Sequence, residues 1–514
     1  MQYNFHKHGF LLNGNTVDGL FVKIFSKSKD NFFIGGFCIL YDKINITLCY
    51  ILNIEIFFPD SYDYFLNEKA ENLLALVNDE VLFYILIIKP LFSIKSGLVN
   101  KANSTISHNS IVSCINKDIM SKIWKSFSNN DIYGEIGKFV GTDIDIQLPL
   151  KLFFRRSNGI FGKTGTGKTF ISIILISYAL HHNIASFLIF DMHGEYGHTV
   201  ISENKTEKIP GLKDIFPHSI ILINVSNDSS DNKAYDLNLS IPISMITIDD
   251  ILSLQKELCL HPTACEAAYL LFVKYNKNWL NVLIERENDL LSLSKEIGAH
   301  PESISALHRK IKRLSMLPFI IRDENNFCIK YVLEALEVGK SVIIQFENVN
   351  NTLSYLLVST IFTRLVYNKL CKRKISLNDK PCIIVIEEAH KFLHPSIANQ
   401  TPFGMVAREM RKYGMSLLII DQRPSQIDSE ILSQISTKFL LNLSDENDRS
   451  AVLSGIENAN YVKKLFDSMS FNKNIIITGH AIPFTCLIDT INYNNEFCNQ
   501  FIKKTNPIQE DSLF

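Results

Sequence analysis

Hydrophobic and polar residues follow three rhythms along the chain. In residues 1–135 the apolar runs are short, as in Phe32–Tyr41 and Ile44–Phe58. Turn pairs such as Asn13-Gly14, Gly35-Gly36 and Pro59-Asp60 punctuate them. That pattern predicts a small, mostly-β domain, with the polar stretch Asn100–Ser110 as an exposed loop. From about 136 onward, continuous apolar runs alternate with helical periodicity. Gly159–Gly162 reads as a strand, Lys168 to His182 as a helix and Ser186–Asp191 as a strand. Strand, glycine loop, helix, strand is a βαβ unit, which requires a parallel sheet. Further buried strands are expected at Ser219–Val225, Ser341–Phe346, Cys382–Ile386, Ser416–Ile420, Lys438–Leu443 and Asn474–Gly479. Each is apolar without alternation, as in strands covered on both faces. Asp249 to about Asp323 carries helical signals instead. Asp249 and Asp250 are candidate caps there, and His300-Pro301 marks a boundary between helices. The expected organisation is therefore a mostly-β domain over 1–135 and an α/β domain over 136–491, with a helical insertion near 249–323. A polar tail, 492–514, is expected to be disordered or docked on a neighbouring subunit.

Composition narrows this picture. A chain of 514 residues has room for about two to four domains. With 46% hydrophobic and 20% charged residues, general disorder is excluded. The net charge of -1 excludes a chain that is basic throughout, but not a basic channel inside an assembly. The 10 cysteines include no C-x-x-C pair, so zinc ribbons and disulfide scaffolds are not expected. The greasy run Val81–Ile88 stops at Lys89-Pro90 and is too short to span a bilayer. The first residues show no basic region followed by an apolar core. A soluble protein of the cytoplasm is expected, with no membrane partner.

The sharpest chemical signal is Gly162-Lys163-Thr164-Gly165-Thr166-Gly167-Lys168-Thr169, which fits G-x-x-x-x-G-K-[ST]. Glycines let such a loop fold its N–H groups around phosphates, and the next helix points its positive end at them. Lys168 would reach the β- and γ-phosphates of ATP, and Thr169 would ligate Mg²⁺ through its hydroxyl. The bland alternative is a Gly-rich turn with an exposed lysine.

The run Cys382–Ile386 ends in Glu387-Glu388-Ala389-His390. Beside a phosphate loop, Glu387 suits the Mg²⁺ shell, and Glu388 suits orienting and polarising the attacking water. An acidic cap on the next helix is the competing reading. His390 and His394 do not fit a zinc-protease order. Two more strands end in polar residues, Asp191–Tyr196 and Asp421–Ser425. In open α/β sheets ligands sit at such ends, so Gln422 is a candidate sensor of the γ-phosphate or the water. Ordinary strand-end turns would look the same. Ala407–Gly414 reads as a basic helix with a C-capping glycine. Its arginines either complement the helix dipole or complete a neighbour's active site.

Taken together, Ile160–Thr169 (IFGKTGTGKT), Phe190–Tyr196 (FDMHGEY), Val385–His390 (VIEEAH), Arg408–Gly414 (REMRKYG) and Asp421–Ser425 (DQRPS) resemble the HerA group of FtsK/HerA-type P-loop ATPases. Tyr133–Leu152 resembles the family's lead-in to its ATPase, and Gly479–Ile488 its closing strands. The resemblance covers about 135–490, and covers 1–134 only by position. It implies a RecA-like core preceded by a small HAS-type β-barrel. It implies a ring, usually hexameric, that couples ATP turnover to movement on double-stranded DNA, with a nuclease or defence effector as partner. By position it implies Lys168 and Thr169 on nucleotide and Mg²⁺, Glu387 in the metal shell, Glu388 as catalytic acid and Gln422 as sensor. It makes Arg411 the first trans-finger candidate and Arg408 the second. Two departures are visible: Thr166 and Asp421 stand where serine is commoner.

A translocating ring touches phosphates rather than base edges. Candidate cations are Arg309, Lys310, Lys312 and Arg313 in the insertion, and Lys372, Arg373 and Lys374 beyond it. Solvated surface explains either cluster equally simply. Two other functions fit the motifs: a nucleotide-regulated scaffold for an effector, and a secretion or conjugation motor of the VirB4/TraG kind.

Overall fold

The computed structural model describes residues 5–15, 19–42, 45–57, 83–95, 98–102, 106–107, 110–129, 131–201, 207–226, 234–322, 327–346, 351–372, 380–399, 401–456, 459–469 and 474–502. The chain forms two compact units. One comprises Met1–Pro149, Phe439–Asn442 and Gly455–Ile491; the other comprises Leu150–Lys438, Leu443–Ser454 and Asn492–Phe514. These units are interleaved in sequence and do not follow the composition boundary at 135.

The first unit contains a closed antiparallel barrel of six strands. Around it run Gly19–Ile24, Gly9–Asn15, Ile111–Cys114, Phe37–Tyr41, Asn45–Phe57 and Phe83–Lys95, and the last pairs again with the first. Closure pairs the first and last of these six strands, and the short strand Leu98–Lys101 adds to Phe83–Lys95 as a flap. The interior is apolar and alternates along each strand, with Leu20, Val22 and Ile24 facing Cys38, Leu40, Leu86 and Ile88. Pro90 lies inside strand Phe83–Lys95, where the register with Leu48 and Cys49 shifts and a bulge spares the N–H that proline lacks. One sequence expectation changes here. Asn13-Gly14 is not a turn; it lies within a strand, just after a bulge. Pro59-Asp60 falls outside the described residues.

The same unit holds four more antiparallel strands, in the order Asn474–Gly479, Cys486–Thr490, Tyr133–Phe139 and Asp145–Pro149. Asn474–Gly479, expected as a buried strand, is buried at its first five positions and pairs antiparallel with Cys486–Thr490.

The second unit is built on a seven-stranded parallel sheet. Its order is Leu237–Asn238, Ile220–Asn224, Ser341–Gln345, Ser186–Asp191, Cys382–Glu387, Met415–Asp421 and Asn158–Phe161. Ser186–Asp191, Cys382–Glu387 and Met415–Asp421 are buried at every position, as expected for strands covered by helices on both faces. The fold is thus α/β, with a mostly parallel sheet and a separate β-barrel.

Between the short strands Ile241–Pro242 and Ile320–Ile321 lie helices Ile248–Ser253, Pro262–Tyr275, Trp279–Glu285, Leu290–Ile297 and Pro301–Ser315. Of the two acidic residues proposed to cap the first, only Asp250 takes part. Thr247 is the N-cap, and its side chain and that of Asp250 form a reciprocal capping box. Asp250 also receives a forked ion pair from Arg364, at 2.8 Å from Nε and 2.7 Å from Nη2. This pair ties the insertion to helix Thr352–Leu370.

Residues 495–502 correct the tail expectation. They form a helix whose Phe497, Cys498 and Phe501 are buried. Phe497 and Phe501 pack edge-on against Tyr178 of helix Lys168–His181. Tyr493 stacks on Phe170 and donates to the Pro210 carbonyl at 2.6 Å. A tail that looks polar by composition carries aromatics at helical spacing, and these dock on its own unit. Residues 503–514 lie outside the described residues.

Candidate active site

The phosphate loop joins strand Asn158–Phe161 to helix Lys168–His181. Gly165 and Gly167 adopt φ of +76° and +91°, a region costly for other residues. A Cβ at either would meet nothing within 4 Å, so backbone conformation rather than crowding requires glycine here. The loop is braced from within. Thr166 Oγ1 donates to the Lys163 carbonyl at 2.7 Å, and Lys168 Nζ donates to the same oxygen at 2.8 Å. The Gly162 N–H donates to the Asp421 carbonyl at 3.1 Å, which fixes the loop to the neighbouring strand.

The parallel register brings the polar strand ends together. Thr164, Gly165, Gly167, Lys168, Thr169, Glu387, Glu388 and Gln422 all line one cleft of about 280 Å³, with His193, Glu195 and Asp421. Sequence had separated these residues by as much as 258 positions, the span bridged by the 2.6 Å bond from Thr164 Oγ1 to Gln422 Oε1. Gln422 Nε2 then donates to Glu388 Oε1 at 3.2 Å. Lys163 and Thr166 belong to the loop but do not line the cleft.

Glu387 is only 5% exposed. Among the described residues its Oε2 has no hydrogen-bond partner, and its Oε1 has only a long contact of 3.5 Å from the Tyr196 hydroxyl. Burial raises its carboxyl well above the usual range, and Asp191, Glu195 and Glu388 push the same way while Lys168 opposes them. An orphaned buried carboxylate oxygen beside a phosphate loop is the donor that a divalent cation lacks; the chemistry of the set, with the Thr169 hydroxyl, fits Mg²⁺. Burial lowers the Lys168 ammonium, while Asp421, Glu388, Glu387 and Glu195 work against that shift. Asp191 is pushed up to about 6 by burial, although it accepts the N–H groups of Tyr196 and Glu195.

Tyr355 had no sequence signal, and the contacts of Tyr196 and Glu388 were not visible there either. Tyr355 grips the end of the Glu387 strand by donating to the Glu387 carbonyl at 3.0 Å and accepting from its N–H at 3.2 Å. The Tyr196 hydroxyl shares a 2.8 Å hydrogen bond with Ser172 of the loop helix. Glu388 has φ of +51°, an uncommon conformation for a non-glycine residue and one that clusters at functional sites.

The arginines are not in this cleft. Arg408 is half-buried and paired with Glu430 at 3.3 Å and Asp428 at 3.8 Å. Arg411 is exposed on the turn Met410–Tyr413. Partial burial and the charge of Arg411 together lower the Arg156 guanidinium. Of the candidate DNA-contacting cations, Arg309 and Arg313 are exposed on helix Pro301–Ser315, opposite its buried Leu307, Ile311 and Leu314. Lys312 is engaged with Glu287. Lys372 is exposed, and Arg373 and Lys374 lie outside the described residues.

Residues 134–366 match the family model described as "Helicase HerA, central domain". The DNA double-strand break repair helicase HerA of Sulfurisphaera tokodaii is 28% identical over 336 residues, which is 63% of this chain and 62% of that protein. Its namesake in Sulfolobus acidocaldarius is 25% identical over 382 residues, 70% of this chain and 69% of that protein. The first of these matches therefore spans under two thirds of the relative's own length. Among solved structures, VirB4 of Thermoanaerobacter pseudethanolicus aligns with a TM-score of 0.48 at 14% identity, covering 71% of this chain and 98% of that one.

Proposed function

We propose, from the premise that this chain carries a HerA-type helicase central domain at 134–366, that the protein is an ATP-hydrolysing motor acting on double-stranded DNA. The observation that carries the reading is the single cleft shared by the phosphate loop, the orphaned Glu387 oxygen and the Glu388–Gln422 pair. In this reading Gly162 to Thr169 hold the phosphates of ATP, with Lys168 on the β- and γ-phosphates. The Thr169 hydroxyl and Glu387 hold Mg²⁺. Bound there, Mg²⁺ would neutralise charge on the phosphates. Glu388 orients the attacking water and draws on its proton, while Gln422 links that carboxylate to Thr164 in the loop.

The relatives' names support DNA as the track and double-strand break repair as the setting. A ring, hexameric in this reading, supplies what one subunit lacks: Arg411, exposed and outside its own cleft, enters the cleft of the next subunit. Arg408 is already committed to Glu430 and Asp428, which leaves Arg411 the better finger. Arg309 and Arg313 are the first candidates to meet DNA phosphates. A nuclease or defence effector as partner completes the reading. Among the described residues no helix is long and apolar enough to cross a membrane.

The test is ATP turnover with and without double-stranded DNA at low salt. DNA should stimulate it, and raising the salt should remove the stimulation. A turnover indifferent to DNA would count against a translocase and favour a nucleotide-regulated scaffold. Light scattering with ATP and DNA present should show a closed oligomer. A monomer would remove the finger role of Arg411.

A further inference from the structure

One carboxylate holds the polar ends of two neighbouring strands. Asp421, the last residue of Met415–Asp421, is 1% exposed. Its Oδ1 accepts the Arg423 N–H at 2.6 Å, closing the turn that carries Gln422. Its Oδ2 accepts the His390 N–H at 2.7 Å, closing the turn that carries Glu388. The His390 ring returns to the same carboxylate, with Nδ1 at 3.0 Å from Oδ2 and 3.1 Å from Oδ1. The far side of that ring places Nε2 at 3.6 Å from Glu388 Oε2. Glu388 thus has His390 on one side and Gln422 on the other, and Asp421 holds the turns of both. A residue at φ of +51° persists only where its surroundings over-determine it, and this clamp supplies that constraint.

We propose that Asp421 is a positioning residue for hydrolysis, fixing Glu388 and Gln422 relative to each other and to the phosphate loop. The inference rests on the reading of Glu388 as the carboxylate that orients water. Asp421 touches neither water nor phosphate in this role; it acts through the two turns. A serine hydroxyl or a neutral amide at this position lacks the second carboxylate oxygen, so it cannot accept from both turns in the same way.

The experiment measures steady-state kinetics, fluorescent-ATP binding and thermal unfolding for Asp421→Asn, Glu388→Gln and the double variant. Asp421→Asn should lower kcat on the order of 10–100-fold, the effect of misplacing a reacting group by a fraction of an ångström, while KM for ATP stays within about twofold. Added to Glu388→Gln, it should change the residual single-turnover rate less than about twofold, because both act through one group. A wild-type kcat in Asp421→Asn, or an equal loss in both backgrounds, overturns the proposal. So does a loss confined to nucleotide binding. Should Asp421→Asn not fold, Asp421→Ser carries the same test: its single hydroxyl oxygen cannot accept from both turns, and an unchanged kcat overturns the proposal. A Glu388→Gln protein at wild-type turnover sinks the underlying reading, whereas an inactive Glu388→Gln beside a fully active Asp421→Asn sinks only this inference.

Discussion

Asp250 in the helical insertion and Glu387 at the end of a core strand are buried alike, at 1% and 5% exposure, and are served in opposite ways. Every oxygen of Asp250 is met. Arg364 brings a fork, and the Thr247 N–H and hydroxyl both donate to Oδ2, at 2.8 Å and 2.9 Å. Glu387 has one oxygen without a partner and three other carboxylates acting on it. A fully satisfied buried charge is a fastener. An under-satisfied one raises the energy of the folded chain and persists where something else is to be bound.

Four substitutions probe this contrast, from the largest effect to the smallest. Lys168→Ala should cut ATP turnover on the order of 10²–10³-fold while leaving the unfolding temperature close to wild type, since the lysine serves charge rather than packing. Wild-type turnover would overturn the site assignment. Asp250→Ala should destabilise the protein by about 1.5–3 kcal/mol in denaturant melts, because the half-buried Arg364 loses its charge partner and keeps only the Met245 carbonyl. A neutral result would break the fastener half of the comparison.

Glu387→Gln should do the reverse, gaining about 0.5–2 kcal/mol of stability while losing hydrolysis. Its pH dependence carries the sign. A carboxyl raised in the folded state binds its proton more tightly there than in the unfolded chain. Wild-type stability from this group is therefore full below the unfolded value and falls as pH rises through the folded one. Glu387→Gln should lack that decline; identical pH profiles would show that Glu387 is not strained. Thr247→Ala, which removes the N-cap hydroxyl but leaves the Arg364 fork, should cost only about 1 kcal/mol, read as a small shift in the same melts.

Much of the cleft was legible from sequence because its signals are local. Eight consecutive residues specify the phosphate loop, and an apolar run ending in Glu387-Glu388 specifies a strand end. Relations between strand ends were not legible. Nothing in the segment around Tyr355 announces that its hydroxyl will hold the Glu387 backbone, and Asp421 looked like a mere departure from a serine. The first depends on how helix Thr352–Leu370 packs on the sheet, the second on the parallel register that sets two strand ends side by side. The barrel was legible as β-structure, but its closure rests on the pairing of Leu20 with Ile88 and Ile24 with Tyr84, across a long stretch of chain. Asn13-Gly14 misled for the converse reason: local turn chemistry yielded to a bulge. The tail misled because overall polarity hid Phe497 and Phe501.

The interleaving of the two units has a consequence for biosynthesis. The barrel strands leave the ribosome early, yet the hairpin Asn474–Gly479 and Cys486–Thr490 that belongs to their unit emerges more than three hundred residues later. At the usual pace of translation the nascent unit waits roughly 20–70 s for its last strands. The barrel, whose first and last strands pair with each other, is the part suited to survive that interval alone. Tyr133–Phe139, whose later neighbour is Cys486–Thr490, is the part a holding chaperone would need to cover.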